Sequence, residues 1–168
     1  MLGRIPAARQ AIIDRVAASA RRAGGRKLPV APDRLARYFY NGVSELDLVQ
    51  RTPEDLAGAA LAELELGRAR RGGRSLVRVF NPDPARDGFS SPHTVIMVVT
   101  EDMPFLVDSL GMECTQRGFA VHLLAHPVLA VVRDRAGRLK AVYLDDPPPG
   151  CRLESWQMFE IDREPDSR

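Results

Sequence analysis

The stretch that most constrains this chain is residues 91–117, SPHTVIMVVTEDMPFLVDSLGMECTQR. Residues 93–100 are apolar at nearly every position, the pattern of a strand buried on both faces. An acidic turn containing Pro104 follows. Residues 104–117 then repeat Phe105, Leu106 and Leu110 at helical spacing, and Gly118 is placed as a helix C-cap. A second long apolar run starts at Phe119. Strand, tight turn, helix and strand make a β-α-β unit. Such a unit requires further strands beside its own two, and a helical layer over the buried sheet.

The rest of the second half supplies those strands. Residues 76–80 predict a short strand, and residues 81–92, with Pro82, Pro84 and Gly88, a loop. Residues 119–134 predict one long strand, or two bent at Pro127. Asp134 to Gly137 has hairpin-turn composition leading into a strand over 138–144. DDPPPG at 145–150 forbids regular structure. Residues 154–161 predict a last strand, with Trp156, Met158 and Glu160 on one face and Gln157, Phe159 and Ile161 on the other.

The first 75 residues read as helices. Ile12, Ile13, Val16 and Ala20 form an amphipathic stripe within 5–23, stopped by Gly24-Gly25. Residues 27–31 are a linker. Pro32 opens a short helix with Leu35, Tyr38 and Phe39 on one face, halted at Asn41-Gly42. Ser44 to Asp47 has capping-box form, with Asp in place of Glu or Gln. Thr52-Pro53-Glu54-Asp55 is the best-marked helix start, with cap, first-turn proline and dipole-matched acids. Its stripe of Leu56, Ala60 and Leu64 runs on through Arg68 to Arg74, whose charges suit a helix C-terminus, to a stop at Gly72-Gly73.

Composition narrows the function. At 168 residues the chain is one domain, or a small domain with a helical extension. No apolar run approaches the roughly 20 residues that cross a bilayer. Asp14 and Arg15 interrupt the only N-terminal candidate for a signal-peptide core. Cys114 and Cys151 make no disulfide framework, so a cytoplasmic location with reduced thiols is expected. Residues 1–75 hold 14 Lys/Arg against 8 Asp/Glu, whereas residues 76–168 hold 10 against 14. The basic half is read as a solvated helix face or a contact with an acidic neighbour, because its arginines are interleaved with acids. No nucleic-acid-binding motif accompanies them, so neither nucleic acid nor membrane is expected as a partner.

Reactive chemistry is sparse. His122 and His126 share a strand face but stand about 13 Å apart, too far to bind one ion, and His93 adds no spacing signal. No metal site is expected. Neither cysteine has a neighbouring histidine base, so no nucleophile is expected. Asp145-Asp146 reads as a solvated loop. The glycine pairs match no phosphate-binding loop. Tyr38, Phe39 and Tyr40 read as core or interface rather than as a base-stacking platform. No catalytic residue is expected.

Six segments taken together carry a resemblance. They are RYFYNGVSELDLVQRTPEDLAGAAL (37–61), VRVFNP (77–82), SPHTV (91–95), EDMPFLVDS (101–109), VHLLAHPVLAVVRD (121–134) and ESWQMFEIDR (154–163). In this order and spacing they resemble the N-terminal region of the large bacterial NAD-dependent glutamate dehydrogenases. DMPFLVDS followed by HPV is the most specific pair, and DDPPPGC is a departure from the pattern. The resemblance implies an α+β fold: a helical lead-in over 1–75, then over 76–168 a mainly antiparallel, ferredoxin-like βαββ sheet. That sheet would be an ACT-like module truncated before its second helix. It implies a parent enzyme that converts L-glutamate to 2-oxoglutarate and ammonia. NAD would bind outside this segment, and the catalytic domain would lie elsewhere in the same polypeptide. Partners implied are the remainder of that polypeptide, a homo-oligomer and an amino-acid effector. A free-standing ACT-type amino-acid sensor is the alternative.

The resemblance also places an effector near the strand-to-helix turn, at Asp102, Met103, Pro104 and Asp108. Helix-start amides hold a carboxylate, and an aspartate holds an ammonium group. The structural reading of the same residues is a helix cap, with Asp102 as N-cap and Pro104 in the first turn, and it suffices for the turn chemistry. If the sheet stopped at residue 168 with one face bare, the isolated chain would be expected to associate through that face.

Overall fold

The computed structural model of the chain describes residues 7–25 and 27–165. α1 (Ala7–Ala23) buries Ile12, Ile13, Val16 and Ala20, the expected stripe; its expected start at Ile5 lies outside the described residues. α2 (Pro32–Phe39) opens on proline and buries Leu35, Ala36 and Phe39. α3 (Glu45–Leu48) and α4 (Pro53–Leu66) are capped as expected. The Ser44 hydroxyl accepts the Asp47 N–H, and the Thr52 hydroxyl accepts the Asp55 N–H. Each such cap contributes about 1 kcal/mol.

α4 ends sooner than its sequence pattern implied. The helix stops at Leu66 and caps on Gly67, well before Gly72-Gly73. The reason is tertiary. A Cβ on Gly67 would lie 2.1 Å from Cη2 of Trp156, so only glycine lets the chain pass this close to the indole. Beyond it the Arg70 N–H donates to the Gly137 carbonyl at 2.9 Å, and Ala69 bridges Arg138. The basic run therefore leaves the helix and joins the sheet instead of complementing a dipole.

The second half is an open antiparallel sheet. β1 (Leu76–Phe80) leads to a short helix that the sequence did not reveal, α5 (Pro84–Asp87), which is capped by Asp83. β2 (Thr94–Glu101), α6 (Leu106–Gln116) and β3 (Val121–Ala125) form the predicted unit. β4 (Val128–Arg133), β5 (Leu139–Tyr143) and β6 (Arg152–Ile161) complete the sheet. The spatial order is β1-β2-β6-β4-β5, with β3 also paired to β6. β2 and β3 thus run parallel to each other with β6 between them, the split arrangement expected of a ferredoxin-like module.

β3 and β4 are two halves of one apolar run. β3 pairs with the end of β6 and β4 with its beginning. At the break the Trp156 N–H donates to the Pro127 carbonyl at 3.0 Å. Proline has no N–H to continue a ladder, so the run bends where the sequence placed Pro127. The β4–β5 turn closes through the Asp134 carboxylate, which accepts the amides of Ala136 and Arg138, and through Gly137 at φ 83°.

The two sheet faces are treated differently. Val95, Met97, Val99, Leu129, Val131, Trp156 and Met158 pack under α1, α2 and α4. The opposite face carries Ile96, Phe159 and Ile161 against Cys114 of α6, with Leu110 and Leu124 beside them. Within the helical layer Phe39 and Tyr40 are buried and the Tyr40 hydroxyl donates to the Leu56 carbonyl at 2.6 Å, whereas Tyr38 is half-buried.

Glu63 on α4 breaks the pattern. It is fully buried, and neither carboxylate oxygen has a hydrogen-bond partner. Burial pushes its pKa well above the ordinary carboxylate value. The backbone N–H of Gln157 opposes this but lies outside hydrogen-bond geometry. An orphaned buried polar group costs about 1–3 kcal/mol, so Glu63→Met should stabilise the fold by a similar amount. The folded-state pKa is raised, so wild-type stability falls as pH rises above the unfolded value of 4.5, and the advantage of the variant should grow over that window. Melting curves from pH 4 to 8 would show it. A variant less stable than wild type at pH 8 would count against this account. Gly67→Ala should cost about 1–3 kcal/mol by overpacking. Because Trp156 is the only tryptophan, its fluorescence should shift with the lower melting temperature.

Candidate functional site at the strand-to-helix turn

The β2 ladder runs to Glu101, opposite Glu154. One further bond, from the Asp102 N–H to the Leu153 carbonyl at 3.0 Å, holds the chain to the sheet before it turns. Met103, Pro104 and Phe105 then stand out from the surface. Phe105 is the N-cap of α6. Its φ is 66°, it is 75% exposed and it makes no side-chain cap. The helix-cap reading of Asp102 is therefore corrected: the helix begins four residues later, and Asp102 serves the sheet. A bulky residue in the left-handed region carries strain of about 1–3 kcal/mol.

The α6 start has an acid in its first turn, Asp108, and the Ser109 N–H donates to the Phe105 carbonyl. No cap comes from the Phe105 side chain, so first-turn amides lack the acceptor an N-cap usually gives. Asp108 also lines an open groove of about 500 Å³ between α6 and β3, with Val107, Gly111, Met112, Val121 and Phe159. Asp102, Met103 and Pro104 lie outside that lining. Of the four residues singled out from the sequence, three are therefore adjacent on an exposed turn, and one belongs to an apolar groove along the helix.

Beneath the turn lies a buried charge network that the sequence did not reveal. Glu154 is fully buried. It accepts from Arg70 Nε and Nη2 at 3.0 and 2.8 Å, and from Arg133 Nε and Nη2 at 2.8 Å each. The Trp156 indole N–H adds a 3.3 Å contact, and Glu101 lies 3.8 Å from Arg70. Burial alone would raise the Glu154 pKa, but the hydrogen bonds from Arg133 and Arg70 outweigh it and hold the carboxyl below its ordinary value. The contributing residues are 84 and 21 positions from Glu154, so no local motif could have announced them.

A second cluster sits at the far end of β6. Arg51 donates from Nε to Oε2 of Glu160 at 2.8 Å, and also reaches the His122 carbonyl at 3.3 Å. His93 Nδ1 lies 3.2 Å from the same carboxylate oxygen, and His122 Nε2 lies 2.7 Å from Asp162. The two imidazoles stack with centroids 4.0 Å apart and planes 16° from parallel. The Ala120 N–H and the His122 ring hold the Asp162 carboxyl below its ordinary value. His126 takes no part; it lies in the bend between β3 and β4. The signal available in the sequence was topological. β2 and β3 start at the same end of the sheet, so His93 and His122 meet, whereas His122 and His126 cannot. Among the described residues no three His, Cys, Asp or Glu side chains converge to hold a metal. Both cysteines are free, Cys114 buried and Cys151 half-buried.

A split β-α-β sheet backed by a helical layer, with its charges spent on internal pairs, defines the class as an ACT-like α+β domain. The glutamate dehydrogenase ACT1 domain family matches residues 35–168, and the chain belongs to that family. It is 38% identical over 133 residues to the NAD-specific glutamate dehydrogenase of Pseudomonas aeruginosa, covering 76% of this chain and 8% of that protein. It is 41% identical over 133 residues to the NAD-specific glutamate dehydrogenase of Halomonas elongata, covering 78% of this chain and 8% of that protein. The chain thus spans under a tenth of the length of these relatives. No solved structure gives a significant match. No helix among the described residues is long and apolar enough to cross a membrane.

Removing one partner of a buried ion pair typically costs about 3–5 kcal/mol, so Glu154→Gln should lower the melting temperature sharply at pH 7. The folded-state pKa of Glu154 is lowered, so its contribution is present above the unfolded value of 4.5 and is lost as pH falls through the folded value. Wild type and variant should converge in acid. An undiminished gap at pH 3 in thermal melts would overturn this account.

Proposed function

We propose that this chain is the N-terminal, non-catalytic part of a longer NAD-dependent glutamate dehydrogenase, serving assembly or amino-acid regulation of that enzyme. The observation that carries the reading is the family match over 35–168, on a domain whose buried Glu154 and Glu160 are engaged by Arg70, Arg133 and Arg51. The full enzyme oxidatively deaminates L-glutamate to 2-oxoglutarate and ammonia in the cytoplasm as a homo-oligomer. Its NAD site and reacting residues lie outside this segment. Residues 1–75 act as a helical lead-in, and residues 76–168 as the regulatory module.

The effector reading belongs to the same proposal. An amino-acid carboxylate meets the open first turn of α6, and Asp102 or Asp108 meets its ammonium group. Met103 and Phe105, both exposed, offer apolar contact to whatever closes over the turn.

Two measurements test this. An antibody against residues 37–61, used on extract of the source cells, should reveal a polypeptide many times larger than 18.6 kDa. A single band near that mass would transfer the function to a free-standing sensor. In the purified full-length enzyme at fixed L-glutamate, Asp102→Asn combined with Asp108→Asn should abolish any change in rate on titration with the other nineteen amino acids. If the wild-type enzyme responds and the double variant responds equally, the effector site is not at this turn.

A further inference from the structure

The basic excess of this chain does not lie on its helices. On α1 and α2 the arginines are matched: Arg21 pairs with Asp33, Arg37 with Asp14 and Arg34 with Asp145. The cations left without a side-chain hydrogen bond or ion pair among the described residues gather at one end of the sheet instead. They are Arg71, Arg74, Arg135, Lys140 and Arg152, all exposed; Arg15 and Lys27 stand outside this group.

The fold brings them together. The Arg70 N–H donates to the Gly137 carbonyl at 2.9 Å and the Leu139 N–H to the Arg68 carbonyl at 2.8 Å, so residues 68–74 lie along the β4–β5 turn. Arg70 Nη1 donates to the Arg74 carbonyl at 2.8 Å, which folds the end of this loop back on itself. A Cβ on Gly72 would stand 3.5 Å from Arg152 Nη1, so the first residue of β6 reaches the same loop. Residues 68–74 hold four arginines and no acid, and residues 133–140 hold four cations and Asp134 alone. With Arg152 that makes nine cations, and four carboxylates pair with members of this set: Glu65, Glu101, Asp134 and Glu154. The excess at this end is larger than the +2 of the whole chain.

Exposed arginines on a helix face are ordinarily solvated and spaced among acids. These stand on loops pinned by backbone hydrogen bonds, so the chain cannot spread their like charges apart, and the crowding raises the free energy of the isolated domain.

We propose that this end of the domain docks a carboxylate-rich segment of the full-length enzyme lying outside residues 1–168, an assignment that rests on reading this chain as part of a longer enzyme. Arginine forks take a carboxylate through two parallel hydrogen bonds, as Arg133 does with Glu154 inside the domain. The backbone is already fixed, so little ordering is lost on contact. Nucleic acid fits less well. Residues 68–74, 133–140 and Arg152 include no aromatic side chain on which a base could stack. Residues 76–168 as a whole hold 10 Lys/Arg against 14 Asp/Glu, so a polyanion extending past this end meets a net acidic half.

The test is carbodiimide coupling in the full-length protein, which joins an amine to a touching carboxylate without a spacer. Native Lys140, and position 135 of an Arg135→Lys variant, should be joined to Asp or Glu of a peptide outside residues 1–168, identified by mass spectrometry. Position 15 of an Arg15→Lys variant, exposed and unpaired on α1, should couple at least about tenfold less. Coupling at 135 and 140 should fall at least about fivefold in 1 M salt, where the Debye length is about 3 Å. Arg71→Glu with Arg74→Glu should lower coupling at Lys140 at least about tenfold with the fold retained, since neither side chain has a partner to lose. Coupling no greater than at position 15, coupling confined to carboxylates within residues 1–168, or coupling unchanged in the double variant would overturn the docking. A fluorescent single-stranded RNA of about 20 nucleotides that binds the wild type in low salt, and not the double variant, would overturn the assigned partner. A polypeptide ending at residue 168, visible by its mass, would remove the underlying reading instead, which keeps the two failures distinguishable.

Discussion

Glu154 and Glu160 stand six positions apart on β6, both turn toward the helical layer and both are buried. A buried carboxylate is tolerable only when paired and hydrogen-bonded. The arginines that meet this need flank α4 in sequence: Arg51 just before it binds Glu160, and Arg70 just after it binds Glu154. The helix is thereby fastened to the strand at both ends, in antiparallel sense. The lengths agree. Fourteen helical residues span about 21 Å and six strand residues about 20 Å, so neither clamp needs a stretched link.

Between the clamps α4 approaches its surroundings through small residues. Ala57, Ala59 and Ala60 are buried. A Cβ on Gly58 would fall 2.5 Å from the Gly88 carbonyl oxygen, and one on Gly67 would strike Trp156. Close approach dries the interface, which strengthens the end clamps and leaves Glu63 in the middle without a partner. The same burial raises the Tyr40 hydroxyl pKa well above its ordinary value, helped by the nearby Glu160 and Glu63, and keeps that hydroxyl a donor to the Leu56 carbonyl. Binding strength at the ends and an orphaned carboxyl at the centre are two results of one tight seam.

Much of this fold was legible from local signals. Thr52 and Ser44 cap because hydroxyls there satisfy their own first-turn amides, a short-range requirement. The bend at Pro127 and the hairpin at Gly137 follow equally from single residues. The readings that failed were those where a distant partner decided. α4 stops at Gly67 because of Trp156, and Arg70 leaves the helix for Glu154, a residue 84 positions away. The Asp102 backbone N–H extends the sheet to Leu153 and the helix starts only at Leu106, so the cap Asp102 was suited to make falls to Phe105 instead. The His93–His122 stack needed the topology first, since only the placing of β2 and β3 on either side of β6 brings those two strand starts together. The resemblance of the ordered motifs identified the family where composition could not, because the buried carboxylates of β6 are held by arginines in internal ion pairs.

The two faces of the sheet divide the work. On the helical side, arginine clamps and small-residue contacts hold α4 close against the sheet. On the α6 side, apolar residues left in solvent include Val77 and Val79 on β1, Met103 and Phe105 on the turn, and Met112 on α6 itself. Phe105 also holds the strained backbone of the turn. Strain and exposed apolar surface both raise the free energy of the isolated domain, and both are relieved by contact rather than by refolding.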